Sequence, residues 1–294
     1  MNNEEIRDFW QKHPCGQSLI TEANGQINDL KKFFIDYDKF RYATEGHILV
    51  NLDKIDFENK SVLEIGIGQA SDAQRIIERG ANYFGVDFTQ EACNRAELRF
   101  KLFNLPYESV ICENICGTTL ADNKFDIIYS HGALHHVPEI EKAVKEIYRI
   151  LKKDGKIILM LYAKKSFNYY ISIMFIRRLL IIGLFLIDIA TNKKVIHDKI
   201  LRGHLNNIRA IGFKKYLSNG IFLSKNTDGP ENPYSRVYSR KQVKEIFNGF
   251  EFNRFEQHFL NQKHLPFLKL LPRALQNKLS AAFGWHLWCY GVKK

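Results

Sequence analysis

The chain has 294 residues, 45% hydrophobic and 26% charged, with a formal net charge of +11. That is enough apolar material for one or two buried cores, and it excludes a disordered tail or a disulfide miniprotein. Cys15, Cys93, Cys112, Cys116 and Cys289 form an odd, widely spread set with no CxxC pair, which argues against a disulfide framework or a zinc ribbon and for a reducing compartment. The opening MNNEEIRDFW puts acids where a secretion signal needs basic residues and an apolar run, so a cytoplasmic location is expected.

In chain order, Lys60 to Gly66 is a short apolar run ending in glycine, and Ala73, Ile76 and Ile77 at helical spacing make Ser71 to Arg79 a helix. Asn82 to Val86 reads as a second strand ending at Asp87, followed by a helix from Glu91 to Phe103 that closes at Leu105-Pro106. Val110 and Ile111 precede a loop. Phe125 to Tyr129 is the next strand, and Glu139 to Leu151 a helix with Ala143, Val144, Ile147, Ile150 and Leu151 on one side. Asp154-Gly155 then turns the chain into the apolar run Lys156 to Tyr162. Strands buried on both faces and separated by helices predict a parallel sheet with right-handed crossovers.

Charge is uneven: residues 1–163 carry −5, residues 164–220 carry +9 and residues 221–294 carry +7. The excess belongs to one face or module, which either meets an anion or is a solvated basic surface.

The glycine loop Glu64-Ile-Gly66-Ile-Gly68-Gln-Ala70 lies where a strand meets a helix, and glycine there lets backbone approach a ligand too closely for any side chain. Asp87, at the tip of the next strand, is placed to accept both hydroxyls of a ribose, so an adenosine-containing cofactor is expected. A pyrophosphate would need a third glycine, and the register Gly66-x-Gly68-x-Ala70-Ser71 has none. Glu64 near the mouth of the loop would repel a pyrophosphate and hold an ammonium group, which favours a sulfonium nucleoside.

Val62-Leu-Glu-Ile-Gly-Ile-Gly68, Gly85-Val-Asp87, Phe125-Asp-Ile-Ile-Tyr-Ser130, Leu134-His-His-Val137 and Ile147-Tyr-Arg-Ile-Leu-Lys-Lys-Asp-Gly155 resemble, in order and spacing, the successive motifs of class I S-adenosylmethionine-dependent methyltransferases. The resemblance covers about a hundred residues. It implies an α/β, Rossmann-like seven-stranded, mostly parallel sheet with an antiparallel last strand, carrying a helical cap and a lid insertion. It also implies S-adenosylmethionine as cofactor, with Glu64, Gly66 and Gly68 at the methionine end, Asp87 at the ribose, Asn114 and Ile115 at the adenine, and Phe88 and Ser130 as further cofactor contacts. Asn114 departs from the aspartate the family usually places there, although its side-chain carbonyl can accept the same bond. Ala70 is a milder departure.

The expected organisation is an N-terminal cap over residues 1–55, the cofactor-binding core over 56–163, a basic and apolar helical insertion over 164–227, and a C-terminal segment over 228–294 supplying a helix and the final strand pair, Phe250 to Phe259 and Trp285 to Val292. Phe9-Trp10 and His13-Pro-Cys-Gly16 resemble the cap of a subset of the family, or make a plain turn; Cys15 shows no activating partner in sequence. The apolar runs 167–176 and 179–187, split by Arg177 and Arg178, are too short to span a bilayer. Three readings of residues 164–220 stay open: a lid over the active site, a homodimer contact, or a peripheral membrane contact. A lid would present Phe167, Tyr169, Tyr170 and Phe175 as an apolar pocket, with Lys164, Lys165, Arg177 and Arg178 to receive an acidic group.

Methyl transfer needs alignment and water exclusion, and a base if the acceptor carries a proton. His131, His135 and His136 follow the fourth strand at the sheet edge where ligands bind; His131 is the first candidate base and His135 the second, with a structural role as the competing reading. Tyr162, Tyr170 and Arg177 are candidate substrate contacts, and no metal ligands are assigned. The expected activity is S-adenosylmethionine-dependent O- or N-methylation of a small, partly apolar and anionic metabolite. The alternatives are an RNA methyltransferase, disfavoured because Ser130-His-Gly-Ala133 lacks the Asn/Asp-Pro-Pro-aromatic step of base-methylating enzymes, and a non-catalytic nucleoside-binding or scaffold protein of the same fold. Nucleic acid is therefore not an expected partner.

Overall fold

The computed structural model describes residues 3–14, 16, 29–191, 197–265 and 267–294; Cys15 lies outside them. Seven strands form one sheet: β1 (Ser61–Ile65), β2 (Asn82–Asp87), β3 (Ser109–Cys112), β4 (Phe125–His131), β5 (Leu151–Tyr162), β6 (Phe250–His258) and β7 (His286–Lys293). Their order is β3-β2-β1-β4-β5-β7-β6. The first five run parallel, and β7 is antiparallel to both β5 and β6. This is the Rossmann-like arrangement expected from the motif order.

β1 carries four buried residues in a row because both its faces are covered, which is why it reads as a continuous apolar run and not an alternating one. On one face Ala143, Val144, Ile147 and Ile150 of the helix Ile140–Ile150 pack with Leu63, Ile65, Phe125 and Leu159. On the other, Ala73, Ile76 and Ile77 of the helix Ser71–Ile77 pack with Val62, Tyr83, Phe100 and Trp288. The helix Gln90–Phe103 starts at Thr89, whose hydroxyl accepts from the Ala92 N–H, and stops at Asn104 in the left-handed conformation.

Two differences from the sequence reading have local causes. Ser109 to Cys112, read only as apolar residues before a loop, pair with β2 as the edge strand β3. The Asp154-Gly155 turn lies inside β5 and does not precede it: Leu151 pairs with Phe125, and pairing resumes at Lys156 with Ile127, so the extra residues bulge out with Asp154 at φ +60°.

Of the N-terminal helices, Asn3–Lys12 and Leu30–Thr44 reach over the carboxyl edge of the parallel strands, and His47–Leu52 packs Ile48 and Leu52 into the core with Val62 and Tyr83. A buried network fixes the second of them. Asp38 accepts from Ser71 Oγ at 2.6 Å, Arg75 Nη2 at 3.2 Å and the Arg99 guanidinium, itself fully buried and hydrogen-bonded to Gln74 Oε1. Five side chains thus satisfy one another. Residues 164–227 contain a π-helical segment Asn168–Arg177 and helices Arg178–Ala190, Lys199–Ile211, Phe213–Tyr216 and Asn219–Lys225. Their own core holds Ile173, Ile181, Ile208, Tyr216 and Phe222.

Candidate active site

β1, β2 and β4 end together, and a cavity of about 270 Å³ opens past their tips. The bend after β1 forms its floor. Gly66 sits at φ +81°, and a Cβ there would come within 2.2 Å of Ala133 Cβ, so side-chain-free backbone is a steric requirement. Gly68, at φ +56°, has nothing within 4 Å of where a Cβ would lie, leaving its face open to the cavity. Ala70, in the position of a third glycine, also takes a left-handed φ of +56° while starting the helix Ser71–Ile77.

Glu64, Gly66, Gly68, Asp87, Phe88, Asn114 and Ile115 all line the cavity. Glu64 is 2% exposed and accepts from Tyr83 Oη at 2.6 Å; burial pushes its carboxyl well above the usual range, and the neighbouring Asp72 adds to the shift. Asp87 Oδ1 accepts from the Thr89 amide at 2.9 Å and hydroxyl at 2.8 Å, and Oδ2 lies 3.4 Å from the Gly68 amide. Burial raises the Asp87 carboxyl, with these donors opposing it. Asn114 Oδ1 accepts from the Cys116 amide at 3.0 Å, so the Asn carbonyl caps its own turn as well as facing the cavity. Ser130 is not on the wall: 1% exposed, it donates to the Ile65 carbonyl at 3.0 Å and ties β4 to β1.

The histidines separate by geometry. His131 reaches the cavity, but the Arg41 guanidinium lies 3.2 Å from Nδ1. A guanidinium only donates, so Nδ1 is the acceptor and Nε2 carries the ring proton. Burial and Arg41 lower the ring to about 3. With Nδ1 engaged by Arg41, His131 is held as a neutral ring at the cavity wall. His135 does not line the cavity; it is fully buried, stacked on Tyr162 with ring centroids 3.6 Å apart, and neither of its nitrogens has a partner among the described residues. His136 does face the cavity. Its Nδ1 lies 2.8 Å from the Tyr234 carbonyl and so carries a proton, leaving the Nε2 lone pair 3.6 Å from Asp228 Oδ2. Burial lowers His136, while Asp228 and the Tyr234 carbonyl oppose the shift.

Tyr162 also lines the cavity and donates to Asp228 Oδ1 at 3.2 Å. Tyr170 and Arg177 do not line it: Tyr170 is exposed beside Tyr169, and Arg177 donates to the Asn226 carbonyl. None of the described residues of the insertion lines the cavity. Lys164, Lys165, Phe167, Tyr169, Phe175 and Arg178 are likewise absent from the wall, and Phe167 packs on Phe283 instead, at 4.8 Å. The roof is the helix Asn3–Lys12, which sets Ile6, Arg7 and Trp10 over the cavity. Trp10 lies edge-on to His136 at 4.8 Å, and the Arg7 guanidinium is 6.0 Å from the Phe88 ring centre.

Several wall residues had no local signal in sequence. Asp72 accepts from Arg41 at 2.8 Å, Tyr42 at 3.1 Å and Tyr129 at 3.0 Å; burial would raise it, but the Arg41 charge and the hydrogen bonds from Arg41 and Tyr129 leave it lowered. His47, His131 and His286 bring ring nitrogens within 4.8 Å of one another, where no metal ligand was expected. His47 Nε2 and His286 Nδ1 are hydrogen-bonded at 3.1 Å, and burial lowers His47 to about 2 and His286 well below its usual value, so the trio packs as neutral rings. Around the cavity stand carboxylates at Glu45, Glu64, Asp72, Asp87, Glu113 and Asp228 against guanidiniums at Arg7 and Arg41. This wall suits a cation.

Comparison with known proteins agrees with the geometry. Residues 63–159 match a family model described as a methyltransferase domain. The chain is 34% identical over 116 residues to 24-methylenesterol C-methyltransferase 2 of Arabidopsis thaliana, covering 37% of this chain and 31% of that protein. It is 26% identical over 109 residues to phosphoethanolamine N-methyltransferase 2 of Caenorhabditis elegans, covering 36% of this chain and 24% of that protein. The chain thus spans about a quarter to a third of the length of these curated relatives. Magnesium protoporphyrin IX methyltransferase from Synechocystis PCC 6803, solved with bound SAH, superposes with a TM-score of 0.53 at 11% identity, covering 98% of each chain, which shows a shared fold.

Proposed function

We propose, because residues 63–159 match a methyltransferase domain, that the chain transfers a methyl group from S-adenosylmethionine to oxygen or nitrogen of a small, partly apolar acceptor. The observation that carries this reading is one cavity walled by six carboxylates and two guanidiniums, with open glycine backbone on its floor. Such a wall favours a sulfonium and an ammonium over a pyrophosphate or a nucleic-acid backbone. Glu64, Gly66 and Gly68 would hold the methionine end, Asp87 and Phe88 the ribose, and Asn114 and Ile115 the adenine. When bound, the cofactor supplies an electrophilic methyl group on sulfur.

The chain's own residues then have three tasks. Trp10 and Ile6 exclude water from above, which strengthens every charge interaction inside. Tyr162 and Asp228 frame the acceptor side. His136 is the base: its Nε2 lone pair is free of the Tyr234 contact, and Asp228 beside it favours the imidazolium formed when the acceptor's proton is taken. The acidic substrate expected from the insertion's lysines and arginines loses its support, because those side chains are elsewhere; Arg7 and Arg41 are the cations on the wall.

Two measurements test this reading. Calorimetric titration with S-adenosylmethionine should show Asp87→Ala binding weaker by about 1 to 3 kcal/mol, the loss expected when charge-assisted hydrogen bonds disappear. Incubation with methyl-labelled cofactor and a panel of phenols, amines, hydrophobic acids and tRNA should label small molecules, with His136→Ala reducing turnover while cofactor affinity stays the same. Label in tRNA alone would sink the assignment of acceptor class, and unchanged cofactor affinity in Asp87→Ala would sink the ribose site.

A further inference from the structure

The helix Arg178–Ala190 is built inside out. Leu179, Leu180, Gly183, Leu186, Ile187 and Ala190 recur at three- and four-residue steps and so share one face. That face points away from the protein: Leu179, Leu180, Leu186 and Ile187 are between 52% and 66% exposed, and Phe175 just before the helix is 61% exposed. The one acid of the helix faces inward. Asp188 is buried in an ion pair with Arg209, and Arg178 donates to Asn219 Oδ1 at 3.0 Å. Ile181 and the Phe185 ring, stacked on Phe213 at 4.8 Å, complete the inner face. A soluble surface helix normally shows the opposite arrangement, and a contiguous exposed aliphatic face marks an interaction site.

The surrounding charge says what covers it. Residues 164–220 hold eleven basic and two acidic residues. One acid, Asp188, is neutralised by Arg209, and the other, Asp198, caps the Leu201 amide. Lys199, Arg202, Lys214 and Lys215 are exposed on helices joined to the apolar helix through the Arg209 ion pair and the Phe213 stack. A second copy of the chain docking on the same face would bring two strongly basic modules together at a like-charge cost. An anionic lipid surface complements both features, taking the aliphatic side chains among its acyl chains and the cations at its headgroups. Among the described residues no helix is long and apolar enough to cross a membrane, so the segment would lie in the interface.

We propose that the face formed by Phe175, Leu179, Leu180, Leu186 and Ile187 docks the protein peripherally on an anionic membrane surface. This goes beyond the methyl-transfer reading and does not depend on it. The test is cosedimentation of the full chain with vesicles of phosphatidylcholine alone and of phosphatidylcholine and phosphatidylglycerol in equal parts. The wild type should pellet with the anionic vesicles, leave the neutral ones, and be released by salt. Leu180→Glu combined with Leu186→Glu should weaken binding roughly tenfold or more. The melting temperature should not change, because both side chains are exposed. Lys214→Glu with Lys215→Glu should weaken binding without altering the aliphatic face. No binding to either vesicle, equal binding to both, or a dimer by ultracentrifugation that Leu180→Glu dissolves in a protein with no lipid affinity would each overturn the proposal.

Discussion

At the carboxyl edge of the sheet the chain turns charge inward: Glu64 and Asp72 are buried, and each is answered by Tyr83 or by Arg41, Tyr42 and Tyr129. Along the helix Arg178–Ala190 it turns oil outward, with five large aliphatic side chains more than half exposed. Each arrangement is costly for an isolated domain, since buried carboxylates lose hydration and exposed leucines gain no burial. The contrast teaches that the two regions address different ligands: a small cation enclosed on most sides, and an extended apolar surface met from outside.

Ile181 and Leu180 are neighbours in sequence on the inner and outer sides of the helix. Ile181→Ala should destabilise the fold by about 2 to 5 kcal/mol, whereas Leu180→Ala should stay within about 0.5 kcal/mol, because one side chain is buried and the other is not. Comparable losses in denaturant titrations would show that the outer face is covered in the free protein.

Next in size is a pH effect at the cavity. Burial holds the Glu64 carboxyl well above its usual range, so near and below that raised value the free site is protonated. A cationic ligand favours the ionised form; binding therefore releases a proton, and cofactor affinity should fall as pH drops, by up to about tenfold per unit. Calorimetry in buffers of different ionisation enthalpy measures that proton, and Glu64→Gln should abolish it. Buffer-independent heats in the wild type would show that Glu64 is ionised before the ligand arrives.

The smallest effect concerns the glycine loop. Ala70→Gly relieves a left-handed φ of +56° but removes a fully buried methyl group and loosens the unfolded chain. With one gain and two losses of about 1 kcal/mol each, the variant should lose about 1 kcal/mol. A large stabilisation by thermal melting would mean that the third position of the loop stores strain.

Residues 60 to 163 were legible because their signals are local: an apolar run, a glycine bend and a 3.6-residue period each lie within a dozen residues. Asp228 and His136 were not, since they meet across ninety residues and only the sheet edge brings them together. His131 was legible by position, but its contact with Arg41 was not, because Arg41 comes from an N-terminal helix with no motif. The insertion shows a further limit. Periodicity marks a face of Arg178–Ala190 but does not say which side meets the protein; that depends on Asp188 finding Arg209, and the expected lid gave way to the helix Asn3–Lys12.

The position of β7 has a consequence for synthesis. Residues 286–293 are the last strand in the sequence, yet they sit between β5 and β6 and pair with both. β6 therefore has no neighbour to join while it leaves the ribosome, and β5 keeps one edge unpaired until some 120 further residues have been made. During that interval the nascent chain carries an open apolar strand, and a translation stall or a cut before Trp285 would yield a sheet missing an interior member, a product prone to pair with its own copies.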